Sequence, residues 1–157
     1  RLYLLRVTNT LTIVKQHLVG PNCYGITSYM QNIWVCVNGH YIYTYDESYS
    51  SVIKTTKPVH GFGNNALCIS PDGKMIHYTI ANKTVTLDME GKELKKKAEI
   101  SEFKGSSGIV VDQIGLIYCC GEESGNVILV TPEGRKLSVL ISRAHGLRSP
   151  IGLCLND

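Results

Sequence analysis

The side chains in this chain that could perform chemistry are scattered along it. His17, His40, His60, His77 and His145 lie far apart, and none has a nucleophile at a spacing that would make it a general base. Gly61-Phe62-Gly63-Asn64-Asn65-Ala66 has the glycines of a phosphate-cradling loop. Such a loop must follow a strand and open a helix, so that helix N–H groups meet phosphate. Here it leads into Leu67-Cys68-Ile69, an apolar run that reads as a strand. No Gly-x-Ser-x-Gly elbow occurs. The six cysteines form no Cys-x-x-Cys pair and no Cys/His cluster at zinc spacing. No catalytic centre, metal site or cofactor is expected.

Binding is another matter. Lys57, His60, Phe62, Lys104, Arg143, His145 and Arg148 are basic or aromatic residues in Gly-, Pro- and Ser-containing connections, and Phe103 is a second ring of the same kind. Such a set would hold phosphates and stack a base, or meet an acidic protein segment. The net charge of +3 is too small to imply nucleic acid by itself. Whether these residues act together depends on the elements that carry them.

Those elements are short strands. Residues 107–142 hold four apolar runs, at 108–111, 116–120, 126–130 and 137–141, separated by Asp-Gln-Ile-Gly, Gly-Glu-Glu-Ser-Gly and Thr-Pro-Glu-Gly. That is the pattern of a four-stranded antiparallel meander. It recurs. Gly25, Ala66, Gly108 and Gly152 open equivalent first strands at intervals of 41, 42 and 44 residues. Second strands align as Ile33-Trp34-Val35-Cys36, Ile76-His77-Tyr78-Thr79 and Ile117-Tyr118-Cys119-Cys120. Asp72 and Asp112 recur at a first turn, where a carboxylate accepts backbone N–H bonds. A period of ~40–45 residues with four strands per unit is the signature of a propeller blade.

The expected fold is therefore all-β: a partial β-propeller with about three whole four-stranded blades and two incomplete ones. Residues 1–15 supply the outer strands of one blade, 21–57, 64–99 and 106–142 are whole units, and 150–157 is the innermost strand of the next. The outer strand of the middle unit carries Lys92, Lys95, Lys96 and Lys97, read as a solvated edge. Closed rings have ~4–8 blades, and a ring left incomplete exposes bare terminal faces. The remaining blades are expected from missing chain or a second copy, with a small closed four-blade ring as a further arrangement.

Composition agrees with a soluble β protein, at 43% hydrophobic and 18% charged. No run reaches the ~18 apolar residues of a membrane span. Cys68 and Cys154 occupy a repeat position where another unit has Val110, so the cysteines read as small buried hydrophobes in a reducing, cytoplasmic compartment. Asn82-Lys83-Thr84 matches a glycosylation sequon, a pattern too short to weigh against this. His77 takes the place of Trp34 and Tyr118 in their units, so a packed or half-exposed ring is expected there.

Gly-Ile-Val-Val-Asp-Gln-Ile-Gly-Leu-Ile-Tyr-Cys-Cys at 108–120 is similar to the opening of an NHL repeat, and 127–134 resembles its third strand and Pro-x-Gly turn. Residues 144–157 resemble the entry into a further repeat. The texture resembles the C-terminal propeller of invertebrate tripartite-motif proteins. That resemblance implies a recognition platform without catalysis, binding a protein partner or, alternatively, single-stranded RNA. The ligase portion of such proteins is zinc-binding, and none of its cysteine pattern is present here. The binding face would be that of the inter-blade loops, where the seven residues above lie. An enzyme of another class, a calcium- or zinc-dependent six-bladed lactonase or lyase, would need ligands on the channel. The channel-side residues expected here are Thr27, Cys68, Ile69, Val110 and Val111.

Overall fold

The computed structural model describes residues 2–7, 11–17, 22–38, 40–46, 48, 51–57, 66–94 and 100–156. Strands β1 (Leu2–Val7) and β2 (Leu11–His17) form an antiparallel pair. β3 (Cys23–Tyr29), β4 (Asn32–Val37), β5 (Tyr41–Tyr45) and β6 (Val52–Thr56) follow in chain order as one four-stranded sheet. β7 (Leu67–Ile69), β8 (Met75–Ile80) and β9 (Lys83–Asp88) make a three-stranded sheet. β10 (Ser106–Val111), β11 (Ile117–Gly121), β12 (Asn126–Val130) and β13 (Lys136–Ile141) complete the set. The first strands β3, β7 and β10 lie beside one another, so the sheets fan out from a common axis. This is the nearly all-β, partial propeller that the repeat predicts. One turn of 3-10 helix, Arg143–His145, follows β13. No helix among the described residues is long and apolar enough to cross a membrane.

The outer strand expected in the middle unit falls mostly on residues 95–99, outside the described residues. The middle sheet has no fourth strand among the described residues. Its outer edge is an isolated bridge between Leu87 and Glu93, and Lys95, Lys96 and Lys97 lie outside the described residues. Residues 151–156, expected as the innermost strand of the next unit, belong to no ladder. The contacts of the final segment with β10 and β11 run through the Ser107 and Cys120 side chains to backbone carbonyls, not through ladder N–H to O=C bonds.

The turns repeat as closely as the strands. In four hairpins a glycine N–H bonds back three residues, from Gly73 to Ser70, Gly91 to Asp88, Gly115 to Asp112 and Gly134 to Thr131, at 2.8–3.0 Å. Each of these glycines has a positive φ, between 70° and 88°, which a side chain would strain. Aspartate closes three of them, Asp72 and Asp112 as expected and Asp88 besides. Asp112 Oδ1 accepts from Ile114 N and Leu116 N, Asp88 Oδ1 from Glu90 N and Lys92 N, and Asp72 Oδ1 from Lys74 N. The bond from Ser70 Oγ, with that from Lys74 N, holds the Asp72 carboxyl below its ordinary pKa.

Packing is face to face. Trp34, Cys36 and Ile42 of one sheet meet Leu67, Ile69, Ile76, Tyr78, Val85 and Leu87 of the next. Cys68, between Leu67 and Ile69, points the other way and joins Ile109, Ile117, Cys119, Ile128 and Val130 of the last sheet. Alternation along β7 thus feeds two interfaces at once. Cys68 is therefore part of an inter-blade core and does not face the axis, as the sequence reading had it. Burial raises the thiol pKa of Cys36 to about 12 and of Cys120 to about 11, and pushes Cys68 and Cys119 up as well. These four are the buried hydrophobes expected, whereas Cys23 and Cys154 are exposed.

The second interface contains two groups of special interest. Phe103, in the connection between β9 and β10, is completely buried in it. A ring so placed cannot stack a nucleic-acid base, which corrects the expectation for Phe103. His77 is 1% exposed, and its Nδ1 lies 3.0 Å from Thr86 Oγ1. Burial lowers its pKa from 6.5 to about 4, against a weaker opposing pull from Asp72.

Two outcomes follow from this interface. Phe103→Ala removes a large buried ring, with an expected destabilisation of about 3–5 kcal/mol, measured by urea unfolding. For His77, the unfolded chain takes up a proton near pH 6.5 and the folded chain only near pH 4. The unfolded state holds more protons between those values, so stability falls as pH drops through that window. The expected loss between pH 7 and pH 5 is about 2 kcal/mol. His77→Gln should flatten that part of the pH profile while leaving the carboxylate-driven loss below pH 4.

Candidate functional site

The loops joining one sheet to the next share a face with the turns between second and third strands, because an up-and-down sheet returns to the same side every second turn. The hydrogen bonds show this directly. In the 100–105 connection, Ile100 N donates to Asn82 O at 3.1 Å, and Gly105 O accepts from Glu122 N at 2.8 Å. Asn126 Nδ2, buried, donates to Glu102 O at 2.6 Å and so fastens the connection to β12. Gly121 lets these parts approach. A Cβ there would come within 2.7 Å of Asn126 Oδ1 and 3.0 Å of the Phe103 ring.

Of the seven residues expected to bind, the structure brings two around one feature, the 122–125 turn. Lys104 N donates to Ser124 Oγ at 3.1 Å, and the Arg143 guanidinium donates to Glu123 O at 2.5 Å. His145 Nδ1 accepts from Ser142 N at 3.2 Å, which stabilises its own turn. Arg148 is exposed three residues further on. Lys57 belongs to another sheet, with its ammonium 5.9 Å from the centre of the Tyr41 ring. His60 and Phe62 lie outside the described residues.

The sequence reading missed the acids of this face. It weighed only the inter-blade loops, where Glu102 is the sole acid. Glu122 and Glu123 stand beside Lys104 and Arg143 and are exposed. Glu102 itself is ion-paired with Lys136 at 2.5 Å, and that bond, with a second from Ser101, holds its carboxyl down to about 2. The face carries mixed charge. The signal was available, since the second-to-third-strand turns could have been placed on this side from strand order alone.

Along the axis lies a cavity of about 680 Å³. Thr27, Ile69, Val110 and Val111 line it as expected, joined by Leu153 and Leu155 of the final segment. Tyr29, Asp112 and Gln113 add polar groups. The Asp112 carboxylate is already committed. Oδ1 takes the two turn N–H groups described above, and Oδ2 accepts from Tyr118 OH at 3.0 Å. Among the described residues no three His, Cys, Asp or Glu side chains converge to hold a metal ion.

The final segment closes one side of this cavity by lying against β10. Ser107 Oγ donates to Pro150 O at 2.7 Å, and Cys120 Sγ lies 3.8 Å from Gly152 O. A Cβ on Gly108 would stand 3.1 Å from Gly152 Cα, backbone against backbone. At Gly108 the repeat position therefore needs a small residue for the close approach of residues 151–152. Gly108→Val should lift residues 150–156 away and expose the otherwise buried Cys120. Maleimide labelling mapped by mass spectrometry should show Cys120 reacting several-fold faster than in the unaltered chain.

A family model described as SMP-30/Gluconolactonase/LRE-like region matches residues 38–143. Among solved structures, Staphylococcus aureus virginiamycin B lyase superposes with a TM-score of 0.56 at 19% identity, covering 78% of this chain and 43% of the lyase. A chain of Kuenenia stuttgartiensis hydrazine synthase gives a TM-score of 0.66 at 18% identity, covering 90% of this chain and 40% of that one. The computationally designed Ika4 protein gives 0.61 at 8% identity, covering 87% and 81%. This chain thus spans less than half the length of the two natural proteins. At these identities the likeness concerns fold alone. No curated protein matches the chain.

Proposed function

The chain belongs to the SMP-30/gluconolactonase/LRE-like family of β-propellers, and on that premise we propose that it is a recognition module whose mixed-charge loop face holds a protein partner. The observation that carries this reading is the pairing of signs around the 122–125 turn. Lys104 and Arg143 flank it, and Glu122 and Glu123 lie within it. A surface of both signs complements another protein's charged groups and selects among partners by their arrangement. A polyanion such as RNA would meet Glu122 and Glu123 as well as the basic groups, and the buried Phe103 ring would offer it no stacking. The face is also built on a rigid frame, fastened by Asn126 and the Gly105–Glu122 bond, as a binding loop should be.

A second reading has support of a different kind. The family description includes gluconolactonase, and a lyase is among the structures of similar fold. On that reading the axial cavity would take a cyclic ester or lactone. The commitment of both Asp112 oxygens to the turn and to Tyr118 favours binding over acid–base work at that position.

One set of assays separates the readings. A photo-crosslinking residue at position 104 should capture a discrete protein, and Arg143→Glu should reduce that capture by roughly tenfold, the effect of ~1.4 kcal/mol. Binding of a single-stranded RNA oligonucleotide that weakens steeply between ~50 and ~200 mM salt would replace the protein by RNA. Hydrolysis of gluconolactone that requires Ca²⁺ or Zn²⁺ and stops on chelation would make the chain part of an enzyme.

A further inference from the structure

Trp34, His77 and Tyr118 occupy one structural position in three successive sheets. Each sits on the second strand, opposite Thr27, Cys68 and Val110 respectively, and on the face turned toward the following sheet. In the first interface the position is filled by the indole of Trp34, buried in the apolar core. In the second it holds the smaller imidazole of His77, and a pocket of about 270 Å³ opens beside it. Its walls come from both sheets: Pro71, Asp72 and Met75 on one side, Gln113, Ile114 and Pro132 on the other.

The hydrogen bonds fix what His77 presents to that pocket. Pro132 O is a carbonyl and can only accept, so Thr86 Oγ1, 3.0 Å away, spends its proton there. The Thr86 oxygen must then receive its second bond from His77, so Nδ1 carries the ring proton. Nε2 is left as a bare lone pair. It is fully buried, and it has no hydrogen-bond partner among the described residues. A buried acceptor of this kind costs free energy unless a donor meets it. The pocket that His77 lines carries Asp72 on one wall and the Gln113 amide on the other. The Asp72 carboxylate, ionised and exposed at the rim, has its Oδ2 3.9 Å from the flexible Lys74 ammonium. Ser70 Oγ donates to Asp72 and accepts from Met75 N. Pro71, Met75, Ile114 and Pro132 supply its apolar wall.

We propose that this inter-blade pocket binds a small primary ammonium ligand, its N–H donated to His77 Nε2, its charge facing Asp72 and its apolar body against Met75, Ile114 and the two prolines. A neutral imidazole acceptor beside a carboxylate selects a cationic donor over an anion, and over an alcohol by the charge alone. A cavity of ~150 Å³ accommodates a benzene-sized molecule, so an alkylammonium of four or five carbons fits the space. The site is separate from the axial cavity and from the loop face, and it does not depend on the function proposed above.

The test uses n-butylammonium as the probe and the full chain, followed by long-range ¹H–¹⁵N spectra of the histidine rings. The free protein should show His77 protonated on Nδ1. Titration should shift its Nε2 resonance saturably, with a Kd on the order of 1 mM, the range such a small ligand reaches. n-Butanoate should produce no such shift. Asp72→Asn, at an exposed turn, should weaken binding by roughly tenfold, while Asp88→Asn, at the equivalent turn of the other hairpin, should leave it unchanged. A ring protonated on Nε2 would overturn the proposal. So would a resonance unmoved by the amine, equal responses to amine and butanoate, or indifference to Asp72→Asn. A response to Zn²⁺ without one to the amine would assign the pocket to a metal ion and equally overturn it.

Discussion

The sheets β3–β6, β7–β9 and β10–β13 bury side chains on both faces, and that requirement organises the molecule. A sheet with one wet face can lie on a core and stop there. A sheet such as β7–β9, with Leu67, Ile76 and Leu87 on one side and Cys68 on the other, must be covered twice. Repeating the requirement from sheet to sheet leaves a radial stack as the economical solution, with the first strands β3, β7 and β10 side by side at the axis. The glycine at position 108 follows from the same demand, since a Cβ there would meet the Gly152 backbone.

Within that frame the interfaces differ more than the turns do. The four glycine-closed hairpins share one geometry, and aspartate closes three of them. The position shared by Trp34, His77 and Tyr118, by contrast, holds a buried indole, a buried imidazole and a half-exposed phenol. The second interface is the polar one. Its His77–Thr86–Pro132 chain ties the two sheets together through hydrogen bonds at a buried histidine, where the buried contacts of the first are apolar and its polar links run from Lys54 to Met89 O and Glu90. An interface of that kind is sensitive to pH and to polar ligands in a way that a purely apolar one is not.

Membership of the SMP-30/gluconolactonase/LRE-like family sets the architecture without assigning a task to this chain. Chemistry on such a frame depends on which side chains the strand ends carry. Here the axial cavity is lined largely by Ile, Val and Leu, and Asp112 serves its own turn. The loop face offers the larger supply of free charged groups, and its acids and bases are interleaved by the hydrogen bonds that join the 100–105 connection to the 122–125 turn.

Strand positions, turn types and the repeat were readable in the sequence, because they depend on neighbours two to five residues apart. Val-Ile-Tyr runs and Asp-x-x-Gly turns carry their own geometry. The buried state of Cys36, Cys68, Cys119 and Cys120 was readable for the same reason, through their place in the repeat. What the order of residues did not reveal were pairings between sheets. Cys68 was assigned to the axis because alternation alone does not say which face meets which neighbour. Phe103 looked like a loop ring free to stack until the packing of two sheets enclosed it. Glu122 and Glu123 join Lys104 and Arg143 only when a hairpin turn folds against a connection 20 residues away in the chain. The lone pair on His77 is likewise a tertiary fact, since it is fixed by a carbonyl on the adjacent sheet, at a sequence separation no local rule can bridge.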